Sequence, residues 1–283
     1  MRPVIEKQKF EVRHIAYILI IIICVLSIGV AVYMQFFKDE KLGVIFGITN
    51  EEEDEEYNLL KENFLNIFDN SLEVIEEYTG NIEKIKKEED IILLAFNTQE
   101  QTDNYTLDLK IPYFNINSDM AKQYNQQIKS TFKDKSESVI SSTTKENILY
   151  NVKYKAYLKN NILSLVILSE LKEGGSSERI IVQTYNYNLS ENKEVTIDEI
   201  LKEKNINENY ANNKIKEEVN SSQEQNIKLA ELGYNTNVRD VNADKYKIEN
   251  AEEFFIGEKG YLYVVYPYGN NEFTSEMDVI IFR

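Results

Sequence analysis

The sequence predicts an α+β protein, with a single N-terminal transmembrane helix followed by an extracellular domain of antiparallel sheets with packed helices. Three observations predict it. An apolar run with only weakly polar interruptions, such as Ser27 and Gln35, stretches from Ile15 to about Phe37. After residue 90, short segments alternate apolar and polar side chains between polar turns, which is the period of half-buried strands. Other segments place apolar residues three to four apart, which is the period of amphipathic helices. Such a mixture of strands and helices favours antiparallel sheets with helices packed on them.

The apolar run decides the location. At about 1.5 Å per residue it spans a hydrocarbon core of roughly 30 Å. Tyr17, Tyr33, Phe36 and Phe37 stand near its ends, where aromatic belts lie. Arg2, Lys7, Lys9 and Arg13 precede it and an acidic stretch follows. The positive-inside rule then puts 1–14 in the cytoplasm as a short tail, 15–37 in the membrane and 38–283 outside. A cleaved signal peptide would have an apolar region of about 7–15 residues. A lipoprotein needs a small residue before its modified cysteine, and Cys24 follows Ile23. Cys24 is the only cysteine, so the outer part forms no disulfide and offers no thiolate.

Residues 38–56 read as an acidic juxtamembrane linker, with Glu51–Glu56 extended by self-repulsion. Residues 57–90 read as an amphipathic helix and its connection, with Leu60, Phe64, Ile67, Phe68, Ser71, Ile75 and Tyr78 on one face and an end near Thr79-Gly80. A small strand–helix unit is expected over 91–145. Its two strands flank the polar turn Gln99–Asn104. Tyr105, Leu107, Leu109 and Ile111 form the buried side of the second, which Pro112 ends. Asn117 or Ser118 then caps a helix whose buried stripe is Met120, Ala121, Tyr124, Ile128 and Phe132.

Residues 146–283 read as the main α+β domain. A hairpin turns at Lys159–Asn161, and a third strand runs through "RIIVQTYNYNL" to a turn at Ser190–Lys193. A polar helix covers 205–232. Late strands follow in "EFFIG", "GYLYVVYPY" and "EMDVIIF".

The chemistry is narrowed by what is missing. His14 is the only histidine and lies on the cytoplasmic side, so the outer part has no Ser-His-Asp or Cys-His mechanism and no histidine metal site. Asp240, Asn242 and Asp244 alternate as in a calcium loop. Lys245 stands where that loop wants glycine, and Ala251 where it wants a bidentate glutamate, so a solvated loop is expected. Gly174-Gly175 leads into Ile180, Ile181 and Val182 and not into a helix, so it reads as a hairpin turn and not a phosphate loop. No catalytic residue, metal or cofactor is expected, and the chain is not expected to be an enzyme.

The formal charge is −16. Residues 1–14 carry a net +2, which leaves −18 for the rest. That field repels nucleic acid and attracts basic partners. The tyrosines Tyr185, Tyr187, Tyr266 and Tyr268 lie on strand-like runs. Core packing is their first expectation, and an aromatic contact surface is the sharper one. Together with Gly174 and Gly175 they are the candidate partner-contact residues.

The stretch "LSLVILSELKEGGSSERIIVQTYNYNLSENKEVTIDEIL", with the later "FFIGEKGYLYVVYPYGNNEFTSEMDVIIF", resembles the RsiV-type extracytoplasmic domain. That domain occurs in lysozyme-sensing anti-sigma factors and beside some peptidoglycan deacetylase domains. The preceding "YTLDLKIPYFNINSDMAKQYNQQI" resembles the small strand–helix unit that stands before it, so the resemblance covers about 91–283. The family loop often reads Gly-Gly-Ala-His, whereas this chain has Gly174-Gly175-Ser176-Ser177, so any role of that histidine is lost. The 14-residue tail is too short for a sigma-binding domain and no deacetylase domain is recognised. The resemblance therefore implies an anchored, non-enzymatic binding module. Its expected partner is a cell-envelope protein or peptidoglycan fragment, with a basic lysozyme-like protein among the candidates, and no nucleic acid. The alternatives are a carboxylate-dependent cell-wall glycan hydrolase and a structural subunit of a membrane complex.

Overall fold

A computed structural model of the chain describes residues 51–75, 91–141, 147–268 and 275–283. The Ile15–Phe37 run lies outside them. Among the described residues no helix is long and apolar enough to cross a membrane. The chain divides into two compact units, 1–58 and 59–283. Of the first, the described part is the opening of helix α1 (Glu51–Glu62).

That helix corrects the expected extended linker. Glutamate is a good helix former, and acidic side chains in the first turns complement the positive end of the helix dipole. The acidic run therefore suits a helix, which carries Lys61 in its last turn.

The expected continuous helix to Tyr78 is also corrected. Helix α1 stops at Glu62, a 3-10 turn covers Phe64–Ile67, and strand β1 (Ser71–Val74) follows. The apolar spacing serves a compact turn. Phe64 and Phe68 meet edge to face at 5.9 Å, and Phe64 lies 6.3 Å from Phe255. Asn70 takes a left-handed φ of 58° and redirects the chain into β1. Residues 76–90, including Tyr78 and Thr79-Gly80, lie outside the described residues.

The main sheet contains β2 (Ile92–Gln101), β3 (Tyr105–Phe114), β4 (Ile148–Lys159), β5 (Ile162–Glu173), β6 (Arg179–Asn188) and the two-residue β7 (Lys193–Glu194), in that spatial order. Strand β5 pairs antiparallel with β4 and β6 along nearly its whole length. The other side of β4 is shared. Tyr105–Leu109 of β3 pairs parallel with Ile148–Val152, and β1 pairs parallel with Lys155–Leu158. Asn70 fills the gap between them, donating its N–H to the Tyr154 carbonyl and accepting the Tyr154 N–H on Oδ1. The strand–helix unit and the later domain thus share one sheet across residue 146.

Strand β3 continues through Pro112, which the sequence reading took as its end. Pro112 pairs with Leu94 beside a register shift at Leu94/Phe96, and beyond Leu109 the other side of β3 leaves β4. No ladder bond is asked of the missing N–H there.

One face of this sheet is covered by α2 (Asp119–Ile128), a π turn at Lys129–Lys133 and α3 (Asp134–Ser141). Ser118 is the N-cap, accepting the Ala121 N–H. Ala121, Tyr124, Ile128 and Phe132 pack with Leu107, Leu109, Val152, Leu165 and Tyr187 in one core.

The opposite face receives a second sheet. It has three antiparallel strands in the order β10 (Met277–Phe282), β9 (Leu262–Pro267), β8 (Glu253–Ile256). Phe255 stacks between Tyr157 of the main sheet at 5.9 Å and Tyr263 at 4.7 Å. The far face of the small sheet packs with α4 (Ile197–Glu203) and α5 (Glu208–Glu231) through Ile200, Ile215, Val219, Val264 and Ile280. Thr196 and Glu199 form the capping box that starts α4.

Strand β8 is the edge of its sheet, and its free edge is buried against the main sheet. Side chains of β5 and β6 satisfy it. Thr184 Oγ1 accepts the Phe254 N–H at 3.0 Å. Asn186 Nδ2 donates to the Phe254 carbonyl at 2.7 Å. Ser164 Oγ accepts the Ile256 N–H at 3.0 Å and donates to Asn186 Oδ1 at 2.6 Å. An unpaired buried backbone group costs about 1–3 kcal/mol. Asn186→Ala is therefore expected to destabilise the protein by about 1–3 kcal/mol in urea unfolding. Asn97→Ala, on the exposed side of β2, should stay within about 0.5 kcal/mol.

Candidate binding cleft

The second half of β6 is fully occupied along its outer edge. Val195 N–H donates to the Asn186 carbonyl, and β7 pairs with Tyr187 and Asn188. The Thr184 N–H also points outward, and a side chain takes it: Glu253 Oε2 accepts it at 2.6 Å and the Thr184 hydroxyl at 2.9 Å. In a strand, residues two apart direct their N–H groups to the same side. Val182 and Ile180 therefore turn theirs to the same outer edge as Thr184. Among the described residues, no strand pairs with that edge at Arg179–Val182.

This open edge is one wall of a cleft of about 950 Å³. The other walls come from Lys245, the Glu249–Glu253 approach to β8, Val265–Pro267 of β9 and Glu276-Met277. Its lining mixes apolar side chains (Ile180, Val182, Val265, Met277) with Glu249, Glu252, Glu253 and Glu276, against Arg179 and Lys245. Burial pushes the Glu253 carboxyl up to about 7, against the two Thr184 hydrogen bonds that pull it down.

A buried ionic cluster stands behind Glu276. Arg239 Nε donates to both Asp278 oxygens, at 3.0 and 2.8 Å, and Nη2 donates to the Tyr268 hydroxyl at 2.7 Å. The guanidinium also lies 3.8 Å from the centre of the Tyr268 ring. Tyr268 in turn donates to Glu276 at 2.7 Å, and Tyr246 donates to Asp278 at 3.1 Å. Arg239 thus fixes Tyr268, and Tyr268 holds a carboxylate on the cleft wall.

The structure separates the six candidate contact residues. Gly174, at φ 58°, and Gly175 form the turn between β5 and β6, directly before the open edge. Tyr185 and Tyr187 do not form a contact surface, because both point into the core under α2. Tyr185 packs 4.9 Å from Tyr124, and the Tyr187 hydroxyl bonds Ser118 at 2.8 Å. Alternation placed them on one face, as expected, but that face is the helix-covered one. Tyr266 is largely buried yet reaches the cleft wall, and Tyr268 belongs to the Arg239 cluster.

The sequence reading missed Glu253, Thr184 and Arg239. An isolated glutamate before an apolar strand carries no pattern, and its neighbours come from 69 residues away. The calcium-like spacing is tied up locally. Asp240 accepts the Asn242 N–H at 3.1 Å, and Asp244 pairs with Lys247 at 2.8 Å. Among the described residues no group of three or more His, Cys, Asp or Glu side chains could hold a metal ion.

No protein-family model matches the chain, and no curated protein does. Among solved structures it is similar to a DUF3298 family protein from Pseudomonas aeruginosa, at 8% identity and a TM-score of 0.39, over 67% of this chain and 85% of that one. It is also similar to a DUF3298 family member from Bacteroides fragilis, at 12% identity and a TM-score of 0.37, over 67% and 88%.

Glu253 makes stability pH-dependent with a definite sign. Its folded pKa lies above the ordinary 4.5, so the folded state holds the extra proton between 4.5 and about 7. Its contribution is therefore complete below pH 4.5 and is lost as pH rises through 7, by up to about 3 kcal/mol. Unfolding midpoints measured from pH 4 to 8 should show this loss, and Glu253→Gln should flatten it.

Proposed function

We propose that the chain is a non-enzymatic, membrane-anchored binding module of a bacterial cell surface. In this reading the Ile15–Phe37 helix holds it in the membrane and the following domain faces outward. The domain recognises a wall-associated protein or glycan, and a basic lysozyme-like protein is one candidate. The observation that carries the reading is the cleft, which combines a strand edge that no described strand pairs with, apolar walls and four glutamate side chains in a chain of net charge −16. Those features suit recognition of a cationic, partly apolar surface, with long-range charge raising the association rate.

One observation favours a second reading. A carboxyl raised to about 7 inside a cleft, as Glu253 is, has the protonation state of a general acid. A carboxylate-dependent glycan hydrolase would use it with a second carboxylate. Against this, Glu253 spends one oxygen on the Thr184 N–H and hydroxyl, which is a structural duty.

Titration of the chain with hen lysozyme and with peptidoglycan fragments tests the proposal. The expected result is saturable one-to-one binding that survives 0.15 M salt, where the Debye length is about 8 Å. Binding that vanishes at that salt would be unspecific charge attraction. Turnover of purified peptidoglycan, abolished by Glu253→Gln, would replace the binding reading with the hydrolase.

A further inference from the structure

We infer that the open edge of β6 at Arg179–Val182 is a docking edge, where an extended cationic peptide segment of a partner protein adds as a further strand. The inference rests on the binding-module reading and gives it a place and a recognition mode. The edge is preformed. Strand β6 pairs with β5 from Asn188 to Arg179 without a register shift, so its geometry persists where, among the described residues, no strand pairs with its outer side. No proline or bulge occurs in 179–188 to blunt it.

The outer side of β6 is occupied stepwise. β7 takes it at 187–188 and the Glu253 carboxylate takes the Thr184 N–H in place of a strand carbonyl. The next outward-facing positions in the same line are Val182 and Ile180, and these face the cleft. A four-residue strand is about 13 Å long, and Arg179, Ile180, Ile181 and Val182 all line the cleft along which it would lie. Backbone bonds would supply the alignment, and alternate side chains would meet Val265 and Met277 on the small-sheet wall. Charge selects the occupant. Leaving aside Glu253, which is committed to Thr184, the walls carry Glu249, Glu252 and Glu276 against Arg179 and Lys245, and Lys245 already donates to the Pro267 carbonyl at 2.7 Å. Basic side chains in the added strand answer that excess.

The test uses the full chain and an acetylated, amidated heptapeptide of alternating lysine and valine, titrated calorimetrically. N-methylation of the peptide at the alternate positions that face β6 should weaken binding at least tenfold, and N-methylation of the other set should not. Val182→Pro removes an N–H that no described strand uses, so the fold should keep its unfolding midpoint while peptide binding falls at least tenfold. Glu252→Lys, at the exposed rim, should weaken binding several-fold. No peptide binding, or equal tolerance of both N-methyl sets, overturns the inference. So does normal peptide binding by a folded Val182→Pro chain. If that variant fails to fold, the N-methyl series decides alone. Lysozyme binding that is equal in the wild type and in folded Val182→Pro sinks the docking edge and leaves the binding-module reading intact. Register-specific peptide binding without lysozyme or peptidoglycan binding keeps the edge and removes those partners.

Discussion

The structure depends on how one short edge strand is buried. Strand β8 brings its free N–H and C=O groups against the face of another sheet, where neither water nor a neighbouring strand can reach them. The fold answers with three small polar side chains, Ser164, Thr184 and Asn186, set on the face that would otherwise be apolar. Each is placed by the strict alternation of β5 and β6, so the register of the main hairpin decides whether the small sheet can dock at all. Two apolar layers alone would let the sheets slide. Directional bonds to Phe254 and Ile256 fix one relative position.

The same junction creates the cleft. Because Thr184 serves both Phe254 and Glu253, β8 is held at the middle of β6, and the end of β6 before it is left uncovered. Glu253 is drawn into the junction with it, which is why a carboxyl beside an exposed glutamate neighbour becomes a reluctant acid. The Arg239 cluster holds the opposite wall through Tyr268, so each side of the cleft has its own hydrogen-bonded support.

Much of the architecture was legible in the sequence because it is local. Alternation located β3 to β6 and the late strands, Asn117-Ser118 marked the start of α2, where Ser118 is the cap, and Gly174 marked the hairpin turn. What was not legible depends on partners distant in the chain. The spacing of Leu60 to Tyr78 fits a helix in isolation, yet Ser71–Val74 becomes a strand because β4 offers it an unpaired side. Asn70, filling the gap beside Tyr154, gives no warning of that role. The tyrosines of "YNYNL" alternate as a strand should, but alternation cannot say which face a helix will cover. Ser164 and Asn186 look like ordinary interruptions of apolar strands until the edge of β8 is set beside them.

The parallel pairing of β1 with β4 has a consequence in time. Ser71 and Lys155 are partners separated by 84 residues. During synthesis at about 5–20 residues per second, β1 emerges roughly 4–17 s before the residue it must pair with. The β4–β5–β6 meander is local, and local contacts form first. Strand β1 therefore cannot join its sheet until β4 has emerged. Its four residues, with Ser71 and Glu73 among them, are short and polar enough to wait in solution without seeking another edge.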